Sequence, residues 1–183
     1  NRLQMLIDEV LDLAIGNQKS FEIHPSPTQL NLFLQAVIND FHLKTAAEAV
    51  SIEVNFTAAN DWVNLDDYHF TTVMLNLLDN AVKYNDQKPL IQVKTYQKAN
   101  DNQHIFIEIS DNGIGMNKAT LQNLFDKFYR GQKGNIYHHK GLGIGLYYVQ
   151  QLVEAHKGNI KVISQIGQGS TFYIMLPVKA ISH

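Results

Sequence analysis

Apolar residues repeat with a helical period in some stretches of the chain and alternate in others, and the switches between the two patterns outline its elements. Leu3, Leu6, Ile7, Val10, Leu11 and Ala14 share one helical face, and Gly16-Asn17 stops that helix. So short a seam fits an ordinary amphipathic helix as well as the tail of a coiled or bundled segment. Leu30, Phe33, Leu34, Val37, Ile38 and Phe41 form a second stripe. Ahead of it, Ser26-Pro27-Thr28-Gln29 reads as a helix start, with Ser26 as cap, Pro27 at the first helical position and Gln29 closing a capping box. Phe70, Val73, Met74, Leu77, Leu78 and Ala81 form a third stripe behind a cap at Asp66 or Asp67. A last helix is predicted over 141–156, ending before Gly158.

Alternation marks the strands. Phe21-Glu22-Ile23 is a short one. Ile52, Val54 and Phe56 form another, with residues 62–65 expected to pair with it. Residues 90–96 and 104–110 read as a hairpin through Asn100-Asp101-Asn102. Residues 160–164 and 171–176 close the chain, turned by Gly167-Gln168-Gly169. Between them, 112–140 is rich in glycine and polar residues, with one short helix expected over 121–128. Such long irregular stretches are functional or mobile. The pattern predicts an antiparallel sheet with helices on one face, an α+β two-layer sandwich.

Composition narrows the class of function. A 183-residue chain with 45% hydrophobic residues can bury a real core in one domain, or in one domain plus a short appendage. With 17% charged residues and a net charge of -2 it lacks the basic patch of a general nucleic-acid binder. It has no cysteine, so metal ligands are limited to oxygen and imidazole, as suits a reducing compartment. No run of apolar residues is long enough to span a bilayer. The chain begins at Asn1 and is expected to be an excerpt of a longer protein. There are no internal repeats.

Candidate chemistry gathers at three places. Asn76, Asn80 and Lys83 share one helix face beside the third stripe. Asparagine is a poor helix former. The face is either a solvated polar edge or a metal and phosphate edge, with an amide oxygen for Mg²⁺ and a lysine charge for phosphate. Asp111-Asn112-Gly113-Ile114-Gly115-Met116 follows a strand. The carboxylate can accept from an exocyclic amine, and Gly113 and Gly115 let backbone approach a flat ligand; a plain tight turn is the alternative. Gly141-Leu142-Gly143-Ile144-Gly145-Leu146 opens a helix and offers bare N–H groups to phosphate. It has neither the dinucleotide-binding spacing nor a P-loop lysine.

In this order the segments resemble the signature boxes of sensor histidine kinases. Asn76-Leu77-Leu78-Asp79-Asn80-Ala81-Val82-Lys83-Tyr84 resembles the N box and the Asp111 segment the G1 box. Leu124-Phe125-Asp126-Lys127-Phe128-Tyr129-Arg130-Gly131 resembles the F box, and residues 141–146 the G2 box. The resemblance covers about residues 20–180. It implies a Bergerat-type ATP-binding fold, a mixed and mostly antiparallel sheet on three helices, occupying 19–183. Residues 1–18 would be the end of a dimerisation helix.

The resemblance also implies roles. ATP and Mg²⁺ would be the cofactors, with Asn80 on the metal and Asn76 beside it. Lys83 would contact phosphates, Tyr84 would flank the base and Asp111 would bind the adenine amino group. Gly113, Gly115 and Met116 would line the base. Phe125, Phe128 and Arg130 would belong to the lid, with Arg130 reaching the γ-phosphate. Gly141, Leu142, Gly143, Gly145 and Leu146 would form its phosphate end. Asn76, Lys83 and Arg130 would be the catalytic set. Thr171 is a weaker candidate near the adenine, and Ser170 could fill the same role. Partners would be a dimerisation and phosphoacceptor domain of the same protein and a response-regulator receiver domain. Nucleic acid and direct membrane contact are not expected. The setting would be cytoplasmic, with the option of an inner-membrane anchor in the parent.

One departure stands out. The family's acceptor histidine is followed by an acidic residue, and none of the chain's eight histidines has that setting, so the acceptor is expected outside this chain. His138-His139 reads as a metal pair or a solvated lid tip, and His69 and His156 as helix surface or edge residues. Two rivals stay open: another ATPase of the superfamily, and a nucleotide-sensing or docking module of a degenerate kinase.

Overall fold

The second and third apolar stripes pack on one face of a five-stranded sheet. A computed structural model describes residues 22–46, 49–129 and 142–179. In chain order these form β1 (Ser26–Gln29), α1 (Leu30–Lys44), β2 (Ser51–Phe56), β3 (Trp62–Leu65), α2 (Asp67–Lys83) and β4 (Leu90–Tyr96). They continue with β5 (His104–Asp111), α3 (Lys118–Gln122), α4 (Gly145–Ala155), β6 (Asn159–Gln165) and β7 (Gly169–Pro177). The sheet runs β2-β4-β5-β7-β6, and β1 and β3 form a separate two-stranded unit. Only the β2–β4 pair is parallel in the five-stranded sheet, so the sheet is mixed rather than wholly antiparallel. The expected first helix, at 3–14, lies outside the described residues. Among the described residues no helix is long and apolar enough to cross a membrane.

Alternation sorts the two faces of the sheet. Ile91, Val93, Ile105, Ile107, Ile109, Ile174 and Leu176 are buried against Leu30, Leu34, Phe70, Met74, Leu77 and Leu78 of the helices. Each such side chain contributes about 1.5–3 kcal/mol by leaving water. The other face is more polar; it carries exposed Ile163 and an aromatic pair, where Tyr96 stacks on Phe106 at 5.5 Å and the Lys98 ammonium lies 4.3 Å above the Phe106 ring.

Five local expectations are corrected. Ser26–Gln29 is a strand paired with β3, not a capping box. The first N–H groups of α1 are met from 30 residues away: Leu30 N donates to the Asp61 carbonyl and Asn31 N to the Asp61 carboxylate. A distant partner makes a local cap unnecessary. β3 pairs with β1 rather than with β2, because the edge of β4 takes β2 in register Ile52 to Ile91 and Val54 to Val93. The short helix after β5 starts early, at Lys118, capped by Asn117 accepting from Thr120 N. Glu22 and Ile23 are not in a strand, and Phe21 lies outside the described residues. The 104–110 strand and its hairpin are as expected, with Asp101 accepting from the N–H groups of Gln103 and His104.

His156 is the fifth correction. It is buried, not a surface residue. Its Nδ1–H donates to the Leu152 carbonyl at 2.7 Å, and its Nε2 accepts from Asp66 N–H at 2.9 Å. Asp66 in turn caps α2 by accepting from His69 N and also accepts from His24 N. Burial opposes the Asp66 charge, but the two N–H donors outweigh it and hold the carboxyl below its usual range. Burial lowers the His156 pKa, partly offset by the ring's hydrogen bond to the Leu152 carbonyl and by the nearby Asp66 carboxylate. Below the ordinary histidine pKa of about 6.5 the unfolded chain gains a proton that the folded chain refuses, so stability falls with pH there. We expect the urea midpoint to drop between about pH 7.5 and pH 5.5, and His156→Asn to flatten that slope. Equal slopes in both proteins would remove His156 as the cause.

Candidate functional site

The polar residues of α2 begin the site. Helical spacing puts Asn76, Asn80 and Lys83 on the flank of the buried stripe, all partly exposed. They are not equivalent. Asn76 Nδ2 donates to the Thr72 carbonyl at 3.0 Å, and its Oδ1 faces the first residue of α4. A Cβ added at Gly145 would stand 2.6 Å from that oxygen. Asn76 therefore packs α2 against the start of α4, and Gly145 is required there for close approach. The Asn80 side-chain amide makes no hydrogen bond among the described residues. Lys83 Nζ sits 4.9 Å above the ring of Tyr84, which ends the helix and is 46% exposed.

The loop after β5 is sewn to the end of α2 through backbone. Ile114 N donates to the Tyr84 carbonyl, and a Cβ at Gly113 would collide with that same carbonyl. Gly115 has φ +64, and a Cβ there would collide with the Gln165 carbonyl. Met116 packs against the core. Asn112, which the sequence offers only as a motif filler, is a strut. Its Oδ1 accepts from Asn85 Nδ2 and Leu90 N, and its Nδ2 donates to the Lys88 carbonyl.

Asp111 ends β5. Its Oδ1 accepts from Gly113 N at 2.8 Å and Ser170 N at 3.2 Å. Its Oδ2 takes no hydrogen bond among the described residues, where no side-chain polar atom is buried without a partner. That oxygen is therefore open to a ligand. Burial pushes the Asp111 carboxyl above its usual range, partly offset by the two N–H donors. Alternation along β7 puts Ser170 on the Asp111 side with buried Phe172, while Thr171, paired with Ser110 and Ile163, faces the other way. Ser170, not Thr171, is the neighbour of Asp111.

The remaining candidates are less tightly gathered. Gly143 has φ +75, which ends any helix there, so α4 begins at Gly145 rather than Gly141. Leu146 and Phe125 pack against the core, while Leu142 and Phe128 are more than half exposed. Phe128 follows the short helix in a left-handed conformation, φ 64. Lys127 Nζ lies 4.7 Å over the Tyr147 ring of α4. Arg130, Gly141, His138 and His139 lie outside the described residues. Among the described residues no three His, Asp or Glu side chains converge on a metal position.

The family described as "Histidine kinase-, DNA gyrase B-, and HSP90-like ATPase" matches residues 65–180. The chain belongs to that family. It is an ATP-binding domain, and the match contains α2, the Asp111 loop, α4 and both closing strands. Among sequence relatives of this ATPase domain, "Sensor protein RprX" of Bacteroides fragilis is 36% identical over 179 residues, 97% of this chain and 34% of its own length. "Signal transduction histidine-protein kinase ArlS" of Staphylococcus aureus is 30% identical over 175 residues, 96% of this chain and 38% of its own. The chain thus spans about a third of the length of these relatives. In fold it is similar to the mycobacterial sensor histidine kinase MprB, with TM-score 0.71 and 23% identity, covering 86% of this chain and all of that one. It is also similar to full-length ShkA in complex with AMPPNP, with TM-score 0.79 and 21% identity, covering 99% of this chain and 37% of that one.

Proposed function

We propose that this ATPase domain is the catalytic half of a two-component sensor kinase and delivers the γ-phosphoryl of ATP to a histidine on a dimerisation domain of the same protein. The observation that carries the reading is convergence around one helix. Gly113 stands against the Tyr84 carbonyl and Gly145 against Asn76 Oδ1, so three segments far apart in sequence meet along α2.

Asp111 Oδ2 accepts from the adenine amino group in this reading, and Tyr84 flanks the base. The Asn80 amide suits Mg²⁺: it is a hard oxygen donor, and none of its capacity is spent inside the described residues. Asn76 is already committed to Thr72 and α4, and its part is to position. The metal, when bound, would supply charge to the phosphates, which catalysis of phosphoryl transfer chiefly requires. Lys83 lies one turn beyond Asn80, close enough to leave the Tyr84 ring for a phosphate. Ser170 replaces Thr171 as the residue beside the base. Arg130 is retained as a γ-phosphate contact on the sequence resemblance alone. The lone pair of the acceptor imidazole attacks phosphorus, the bond to the β,γ-bridging oxygen breaks, and ADP leaves. A receiver domain would accept the phosphoryl group next; the relative ThkA has been crystallised with a response regulator.

The test is incubation with labelled ATP and Mg²⁺, with and without a separate two-helix segment of the parent bearing a histidine followed by an acidic residue. We expect acid-labile phosphate on the added segment and none on the 183-residue chain itself. Free phosphate without phosphohistidine would make the domain a different ATPase of the family. Binding without turnover would make it a nucleotide sensor.

A further inference from the structure

We infer that Ser164 sets base selectivity at the Asp111 end of the site by fixing the direction of the Ser170 hydroxyl. The inference rests on the adenine reading proposed above. Ser164 lies near the end of β6, directly opposite Ser170 in the β6–β7 ladder. Its hydroxyl oxygen accepts from Met116 N–H at 2.9 Å and donates to the Gly169 carbonyl at 2.8 Å. A serine hydroxyl has one proton, and a carbonyl has none to give. The Ser164 proton is therefore committed to Gly169. In the 3.1 Å contact between the two serine hydroxyls, Ser170 is then the donor.

With its only proton turned towards Ser164, Ser170 offers the rest of its surroundings lone pairs alone. It stands on the Asp111 face of β7, where its N–H already holds Asp111 Oδ1. A purine ring placed there therefore meets two acceptors, Asp111 Oδ2 and Ser170 Oγ. An amino group at the 6-position satisfies such a pair directly, or through a water that donates to both. A keto oxygen there faces lone pairs only. Ser164 touches no ligand itself. It is a positioning residue, and it also ties the loop that carries Met116 to the last hairpin.

ADP and IDP probe this directly, since they differ at the 6-position and in the N1 proton. Titration calorimetry on the full chain should give a preference for ADP in the unaltered protein. In Ser164→Ala the Ser170 proton is released and can turn to a keto oxygen. The preference should fall about tenfold, mainly through tighter IDP, while ADP changes little. Ser170→Ala, which removes the directed acceptor, should lower the preference to a similar extent and serves on its own if Ser164→Ala does not fold. On the Ser170→Ala background, Ser164→Ala should have no further effect on the ratio. An unchanged ratio in either single variant overturns the inference. So does a second, equal fall in the double variant, which would mean that Ser164 acts by another route. Equal ADP and IDP affinity in the unaltered protein would instead reject the adenine reading at Asp111, and the inference with it.

Discussion

Replacing Asp111 by alanine is expected to weaken ATP binding about a hundredfold, close to 3 kcal/mol, because it removes a charged acceptor and strands two donors. The donors are the N–H groups of Gly113 and Ser170, which converge on one oxygen of the carboxylate and leave the other open. GTP should be nearly indifferent to the change, since its keto oxygen gains nothing from the carboxylate. The effect should also depend on pH. Burial raises the Asp111 pKa, so the carboxylate that accepts from the amine is lost at a higher pH than an exposed aspartate would be. On acidification ATP affinity should therefore begin to decline at a higher pH than it would with an exposed aspartate, and Asp111→Ala should remove that decline. Calorimetry over a descending pH series checks both statements. A variant that binds ATP as tightly as the parent sequence would take Asp111 out of base recognition.

Asn80→Ala should act on the metal. It is expected to weaken Mg²⁺-dependent ATP binding by at least about tenfold and phosphoryl transfer by about a hundredfold or more, since a bound metal supplies several kcal/mol of charge stabilisation. Affinity for ATP in the presence of EDTA should hardly move. Asn76→Ala should behave differently. It breaks the Thr72 bond and opens space beside Gly145, so it should lower the melting temperature and affect binding with and without metal alike. Equal losses for Asn80→Ala in both conditions would place its role in packing as well.

The contrast between the two asparagines marks where sequence reading runs out. Helix periodicity puts Asn76, Asn80 and Lys83 on one flank, and the fold keeps them there. Which amide is already spent depends on the Thr72 carbonyl and on a glycine some seventy residues away, and neither is periodic. The same holds for Ser170 and Thr171. They look interchangeable in a string, yet strand alternation turns one towards Asp111 and the other away. His156 reads as a helix edge because its partner, the Asp66 N–H, is 90 residues distant. The α1 start departs from its sequence pattern for a related reason, since the pattern of a local capping box stands where Asp61 meets the need from afar. Long, strongly periodic stretches were legible because their signal is repeated over several turns. Single polar contacts of long range carry no such redundancy.

Part of the packing beside Asp111 is made by peptide groups meeting peptide groups. Ile114 N–H reaches the Tyr84 carbonyl, the Ile114 carbonyl accepts from Gly167 N–H, and Gly115 and Gly169 press on the Gln165 and Asp111 carbonyls. A peptide relay of this kind is indifferent to what Ile114 carries beyond its Cβ, but it counts residues. Adding or deleting one position between Asp111 and Gly115 shifts both relay bonds out of register together. Descendants of this sequence can therefore vary the side chain at residue 114, proline excepted because it lacks the N–H, while a change in the number of residues in that loop breaks the relay.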